Sequence, residues 1–260
     1  MTKSHSISYF ENEGRENWPL VLRLVKRVFR RRADLRSCKV VIFTAIGEGP
    51  AAAYNLLQEW DAKIIAVTLP PDFSVIRDGQ KVSPRVPAKA QAFFDGVGIP
   101  VITARLPFQK IEGAAAHNDQ MDLMANMLSL FGGSFAQGVQ AVLQACDHGL
   151  VDIGEKVIAV TGDSAAVITA STTGKFLTRD QGLAVHEIIC KPRNLTIARG
   201  KPTAALEQSR SLFEEDNAPR LKAAAPRSKQ LVIDGKDAIQ EKRELQEDRT
   251  EKSASIERSR

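Results

Sequence analysis

The chain has 260 residues, 43% of them hydrophobic and 26% charged, with a formal net charge of +5. That is ordinary globular composition, enough apolar material for one domain of about 200 residues or two small ones. Residues 201–260 carry 13 Lys/Arg and 12 Asp/Glu, so this segment is a nearly balanced polyampholyte and excludes a basic arm for nucleic acid.

Cys38, Cys146 and Cys190 are widely spaced, odd in number and without a CxxC pair, which predicts small buried hydrophobes in a reducing compartment. No charged-then-apolar leader and no apolar run of bilayer length is read, which predicts a soluble, cytoplasmic protein without a membrane partner.

Residues 1–13 are polar apart from Tyr9 and Phe10, an aromatic pair expected to pack a terminal segment onto the core. From Asn17 to Ala33 apolar residues recur at helical spacing, with Pro19 in the first turn, where its missing N–H costs little. Lys26, Arg27, Arg30, Arg31, Arg32 and Arg36 form a basic helix end. It suits the negative C-terminal dipole and lacks the aromatic platform of a nucleic-acid site.

Val40 to Phe43 reads as a buried strand, followed by the turn Thr44-Ala45-Ile46-Gly47-Glu48-Gly49 and a helix from Pro50 to Trp60. Ile64 to Leu69 is a second buried strand, completing a βαβ unit with parallel pairing. Pro70 to Pro87 reads as a surface loop or lid. A helix over 88–94, a strand over 99–103 and an irregular or partly helical segment over 104–120 follow.

Met121 to Phe131 reads as a buried-type helix with Met121, Met124 and Met127 as core filling, and Asn118 or Asp119 as its cap. Phe135 to His148 is a second helix with Gly149 as C-cap. Lys156 to Val160 repeats the opening grammar, a strand running into Thr161-Gly162-Asp163-Ser164. Ala165 to Ala170 follows too closely for a crossover and is expected to return antiparallel, at the sheet edge or as a hairpin. Leu183 to Cys190 is a last strand, stopped by Lys191-Pro192. Residues 201–260 read as a disordered charged tail beyond an α/β domain of residues 1–200.

Two turns are candidate ligand walls: Thr44, Gly47, Glu48 and Gly49, and Thr161, Gly162, Asp163 and Ser164. Both end predicted parallel strands, where such sheets place ligands. The bland alternative is a pair of strand–helix turns needing glycine and an acid near a helix dipole. Ser171-Thr172-Thr173-Gly174-Lys175 lacks the leading glycine of a P-loop and reads as a hairpin loop. His117 has no second ligand at metal spacing, and His186 is expected to face solvent or an interface. No metal, cofactor or catalytic residue is assigned.

The ordered segments resemble those of the stand-alone proteins similar to the pyruvate kinase C-terminal domain. The resemblance is carried by YFENEGREN at Tyr9–Asn17, VVIFTAIGEGPAAA at Val40–Ala53, AVTLPPDF at Ala66–Phe73, ANMLSLFG at Ala125–Gly132, QGVQAVLQACDHGLVDIGEKVIAVTG at Gln137–Gly162 and HEIICKPR at His186–Arg193. It implies a three-layer α/β fold with a mostly parallel sheet of about five strands. It implies no pyruvate kinase activity, since the catalytic barrel is absent from this sequence. In pyruvate kinase the equivalent domain is regulatory, binds a sugar-phosphate effector in some enzymes and contributes to the subunit interface. Here the first turn has one hydroxyl and Glu48, and the second is short, so the ligand need not be a phosphate.

The first reading is therefore a non-catalytic small-molecule-binding or regulatory domain for a small anionic or polar metabolite, with a homo-oligomer as a compatible state. The alternative is a metabolic enzyme using Glu48 and Asp163 as acid/base or Mg²⁺-binding carboxylates facing one cleft, about 6–8 Å apart. A third reading is a scaffold acting through the basic first helix and the charged tail.

Overall fold

The order of elements in the computed structural model is β1 (Ser8–Asn12), α1 (Trp18–Arg31), β2 (Lys39–Phe43), α2 (Glu48–Leu57), β3 (Ile64–Thr68), β4 (Val75–Arg77), β5 (Gln80–Val82), α3 (Ala88–Val97), β6 (Val101–Thr103), α4 (Asp119–Ser129), α5 (Gly133–Asp147), β7 (Lys156–Val160), β8 (Ala165–Thr169) and β9 (Ala184–Asn194). The structure describes residues 6–73, 75–77, 80–108 and 119–195. The predicted tail over 201–260, His117 and Asn118 lie outside the described residues.

Seven strands form one sheet in the order β1-β9-β8-β7-β2-β3-β6, and β4 and β5 form a separate hairpin. The pairs β1/β9, β7/β2, β2/β3 and β3/β6 are parallel. The β7/β8 and β8/β9 pairs are antiparallel. The α/β class is therefore as expected, but the strand count of about five is too low.

β1 escaped the sequence reading because it is an edge strand in which Phe10 alone is buried; Tyr9 of the expected packing pair is exposed. Ala165–Thr169 does return as a hairpin on β7, but it is not an edge, since β9 pairs along its other side. β9 also runs past the expected stop at Lys191-Pro192 to Asn194. The pairing with β8 ends at Cys190, so beyond it only β1 lies alongside. A proline is tolerated in such a one-sided position.

The central strands alternate between two cores. Val40, Ile42, Ile64, Ala66, Ile158 and Val160 face α1, α2 and α3, against Val21, Val25, Phe29, Ala53, Leu57 and Phe94. Val41, Ile65, Val67, Val157 and Ala159 face α5, against Val139, Val142 and Ala145. Burial on both faces is why these strands read as continuous apolar runs, as parallel sheets covered by helices do.

α4 behaves differently from the expectation of a buried helix. It packs on α5 rather than on the sheet, and of its side chains Leu128 reaches the core cluster beneath. Met127 is exposed, so it is not core filling. A helix in an outer layer has less of its circumference to bury, whatever its hydrophobicity.

The expected lid over 70–87 contains the β4/β5 hairpin, and the Ser83 hydroxyl donates to Pro71 O across its base at 3.0 Å. The three cysteines are buried and free. Among the described residues, no helix is long and apolar enough to cross a membrane.

Candidate functional site

The first turn is built by Thr44. Its N–H donates to Val67 O at 2.9 Å, continuing the β2/β3 ladder one residue past the strand. Its Oγ1 accepts the Gly47 N–H at 3.0 Å, which curls the chain into the start of α2. Thr68 from the neighbouring strand donates its hydroxyl to Ala45 O at 3.2 Å.

Gly47 has φ +89, the left-handed region that disfavours other residues, and a Cβ there would stand 3.0 Å from the Phe94 ring. A Cβ on Gly49 would stand 2.4 Å from Trp18 Cζ2. The two glycines thus leave room for Phe94 and Trp18 to pack against the turn. Glu48 is exposed in the first turn of α2, where an acid complements the helix dipole.

The second turn closes on itself: Thr161 N–H donates to Ser164 O at 2.9 Å and Thr161 Oγ1 does so at 3.2 Å. Asp163 is 1% exposed. Its Oδ2 accepts the backbone N–H of Gly14 at 2.9 Å, and its Oδ1 accepts the Ser164 hydroxyl at 2.9 Å. Gly162 lies against the backbone of Arg15, whose Cα is 3.4 Å from where a Cβ would be.

β2 and β7 are adjacent parallel strands, so the two candidate turns sit side by side at their carboxyl ends. The chain proceeds from β2 through β3 to β6 on one side, then returns to place β7 on the other. The helices change face at the same point, α2 and α3 covering one side of the sheet and α5 the other. That is the switch point of an α/β sheet.

Sequence reasoning missed the segment that crosses this point. Residues 14–18 form a strap: Gly14 is bonded to Asp163, Arg15 lies on Gly162, and Trp18 lies on Gly49. Asn17 holds the strap in shape, its side-chain amide donating to Asn12 O at 2.8 Å and Gly14 O at 3.1 Å. The Trp18 indole Nε1 is buried and has no hydrogen-bond partner among the described residues. It is bonded to Cε2, which lies 3.2 Å from the Cβ position of Gly49, so the orphan donor stands beside the start of α2. A local signal for the strap existed in the Gly and Asn of Gly14-Arg15-Glu16-Asn17, but nothing local pointed to its docking partners.

The two members of the expected carboxylate pair differ in setting. Glu48 faces solvent, whereas Asp163 is enclosed with both oxygens engaged. Among the described residues no group of three or more His, Cys, Asp or Glu side chains could hold a metal ion.

The other polar candidates are held internally. Thr173 donates its N–H and its hydroxyl to Asp147 at 2.9 and 2.5 Å, and Lys175 donates to Gln181. His186 is exposed and pairs with the Thr169 hydroxyl at 2.6 Å.

Part of the basic helix end is structural. Arg32 bonds both Asp34 and Glu187, which raises its already high pKa, and it holds the Asp34 carboxyl down at about 2. Arg36 donates to Phe29 O and Arg30 O, each at 2.6 Å, capping the last carbonyls of α1.

A depression of about 300 Å³ shares no lining residue with either turn; it is lined by Phe108, Met121, Met124, Thr173, Phe176 and Leu177. Its lining includes Thr173, read from the sequence as part of a hairpin loop, and Met121 and Met124, read as core filling. Comparison of the chain with protein-family models and with curated proteins finds no match to either.

Proposed function

We propose that this chain is a non-catalytic, small-molecule-binding or regulatory α/β domain similar to the C-terminal domain of pyruvate kinase. Its ligand, a small polar or anionic metabolite, sits at the carboxyl ends of β2 and β7. The walls are Thr44, Gly47, Glu48 and Gly49 on one strand end and Thr161, Gly162 and Ser164 on the other, under the strap of residues 14–18. Asp163 anchors that strap rather than touching ligand.

The observation that carries this reading is the indole N–H of Trp18, buried without a partner beside the start of α2. A buried donor left unpaired costs about 1–3 kcal/mol, and a ligand acceptor would recover it. The position at the switch point and the helix dipole of α2 favour the same place. Among the described residues no nucleophile–base pair accompanies it, and binding is the reading these observations support best.

Calorimetric titration against panels of sugar phosphates, nucleotides and carboxylates tests the reading. At least one class should bind, and Trp18→Phe, which removes the N–H and keeps a smaller aromatic ring, should weaken that binding about 5- to 100-fold. Silence across all three panels refutes it, as does a ligand whose affinity is indifferent to Trp18→Phe, Arg15→Ala and Thr44→Val.

A further inference from the structure

The outer helix α4 presents an apolar stripe that the described residues leave uncovered. Leu123, Met127, Leu130 and Phe131 are 59, 58, 47 and 47% exposed, and their spacing of four, three and one residues puts them along one side of the helix and its exit. No Asp, Glu, Lys, Arg or His occurs from Leu123 through Cys146. Scattered exposed leucines are normal, but a contiguous uncharged stripe on one helix is not, and such patches mark interaction sites.

We propose that this stripe is the interface of a homodimer, two copies of α4 packing antiparallel across a two-fold axis. The absence of charge argues for a second copy. A self-complementary patch brings each group opposite its own kind, so any net charge on it would be repelled, and this one has none. A strongly acidic or basic partner would find nothing on the stripe to recognise.

The area argues the same way. Half of four large apolar residues is roughly 400 Å², so pairing two stripes buries about 800 Å² of apolar surface. With the polar rim that normally surrounds an apolar interface core, the total reaches about 1,200 Å², the lower end for a specific complex. The dimer is therefore a weak, concentration-dependent one.

The geometry locates the axis. Met127 lies four residues from both Leu123 and Phe131, so it falls at the two-fold, with Leu123 of one copy opposite Phe131 of the other. Methionine adapts to such self-contact because its side chain is unbranched and polarizable. Helices packed 8–10 Å apart bring facing Cα atoms to about 3.4–5.4 Å at the axis, overlapping the range of about 4.4–6.8 Å that a disulfide spans. The native thiols are all buried, which leaves a cysteine at position 127 as a clean reporter.

Sedimentation of the full chain over a concentration series is the test. The wild-type protein should pass from monomer to dimer in the micromolar range or above. Met127→Glu should move that transition upward by at least tenfold, with circular dichroism and melting temperature unchanged. Met127→Cys should form a disulfide-linked dimer under mild oxidation, whereas Arg27→Cys on α1 should not. A chain that stays monomeric at every concentration overturns the proposal. So does a dimer that ignores Met127→Glu and gives no cross-link through position 127, because it must use another face.

Discussion

Replacing Asp163 by Ala should cost far more than a surface substitution beside a turn. The residue is 1% exposed and accepts two hydrogen bonds, from Gly14 N–H and from the Ser164 hydroxyl, each at 2.9 Å. Hydrogen bonds to a carboxylate contribute about 1.5–3 kcal/mol each, and their loss here strands one backbone donor and one hydroxyl in the interior. The expected cost is about 3–5 kcal/mol, or a fall in melting temperature of about 10 °C for a domain of this size.

Asp163→Asn keeps an amide oxygen for Gly14 N–H and can offer its NH₂ to the serine oxygen, so it should cost about 1–2 kcal/mol. Urea unfolding of the three proteins at pH 7, followed by circular dichroism, gives both differences. Hydrogen exchange should localise the damage to residues 14–18. The reasoning fails if Asp163→Ala costs under 1 kcal/mol, or if the Asn and Ala variants are equally unstable.

Two further expectations follow from packing and burial. Gly49→Ala places a methyl 2.4 Å from Trp18 Cζ2 and must displace the indole, a change expected to cost about 1–3 kcal/mol with altered tryptophan fluorescence. Gly96→Ala, with nothing within 4 Å in helix α3, should be neutral or stabilising by up to about 1 kcal/mol, and equal effects would count against the Trp18 contact. Burial in β9 pushes the Cys190 thiol from 9.0 up to about 12. The unfolded thiol ionises first, so this contribution is intact below pH 9 and is lost as pH rises from 9 toward 12. Wild type and Cys190→Ala should therefore differ in the slope of their urea midpoints across that window; parallel slopes would exclude the effect.

Much of the architecture was legible from local pattern. Val40 to Phe43, Ile64 to Leu69 and Lys156 to Val160 are apolar runs bounded by turn residues, and strands buried on both faces must look so. Pro19, Gly98 and Gly149 mark helix ends for backbone reasons that need no tertiary partner. The two turns could be chosen as candidate walls because strand, threonine and glycine follow one another in the chain. β1 and the end of β9 were not legible, since Ser8–Asn12 and Lys191–Asn194 owe their strand geometry to each other, across most of the described chain.

The sequence by itself thus determined the central strands and most helices, their order, and the two strand ends where a ligand would be sought. Only the tertiary structure decided what each polar residue there does. Asp163 looked like half of a carboxylate pair, but Gly14, 149 positions away, takes one of its oxygens. Gly49 was chosen as part of a candidate ligand wall, and its missing side chain is what lets Trp18 pack there. Met127 looked like core, and α5 takes the place beneath the sheet that would have buried it. Periodicity reports which residues can share a face. Which partner that face meets depends on contacts between segments far apart in the chain, and no local pattern encodes them.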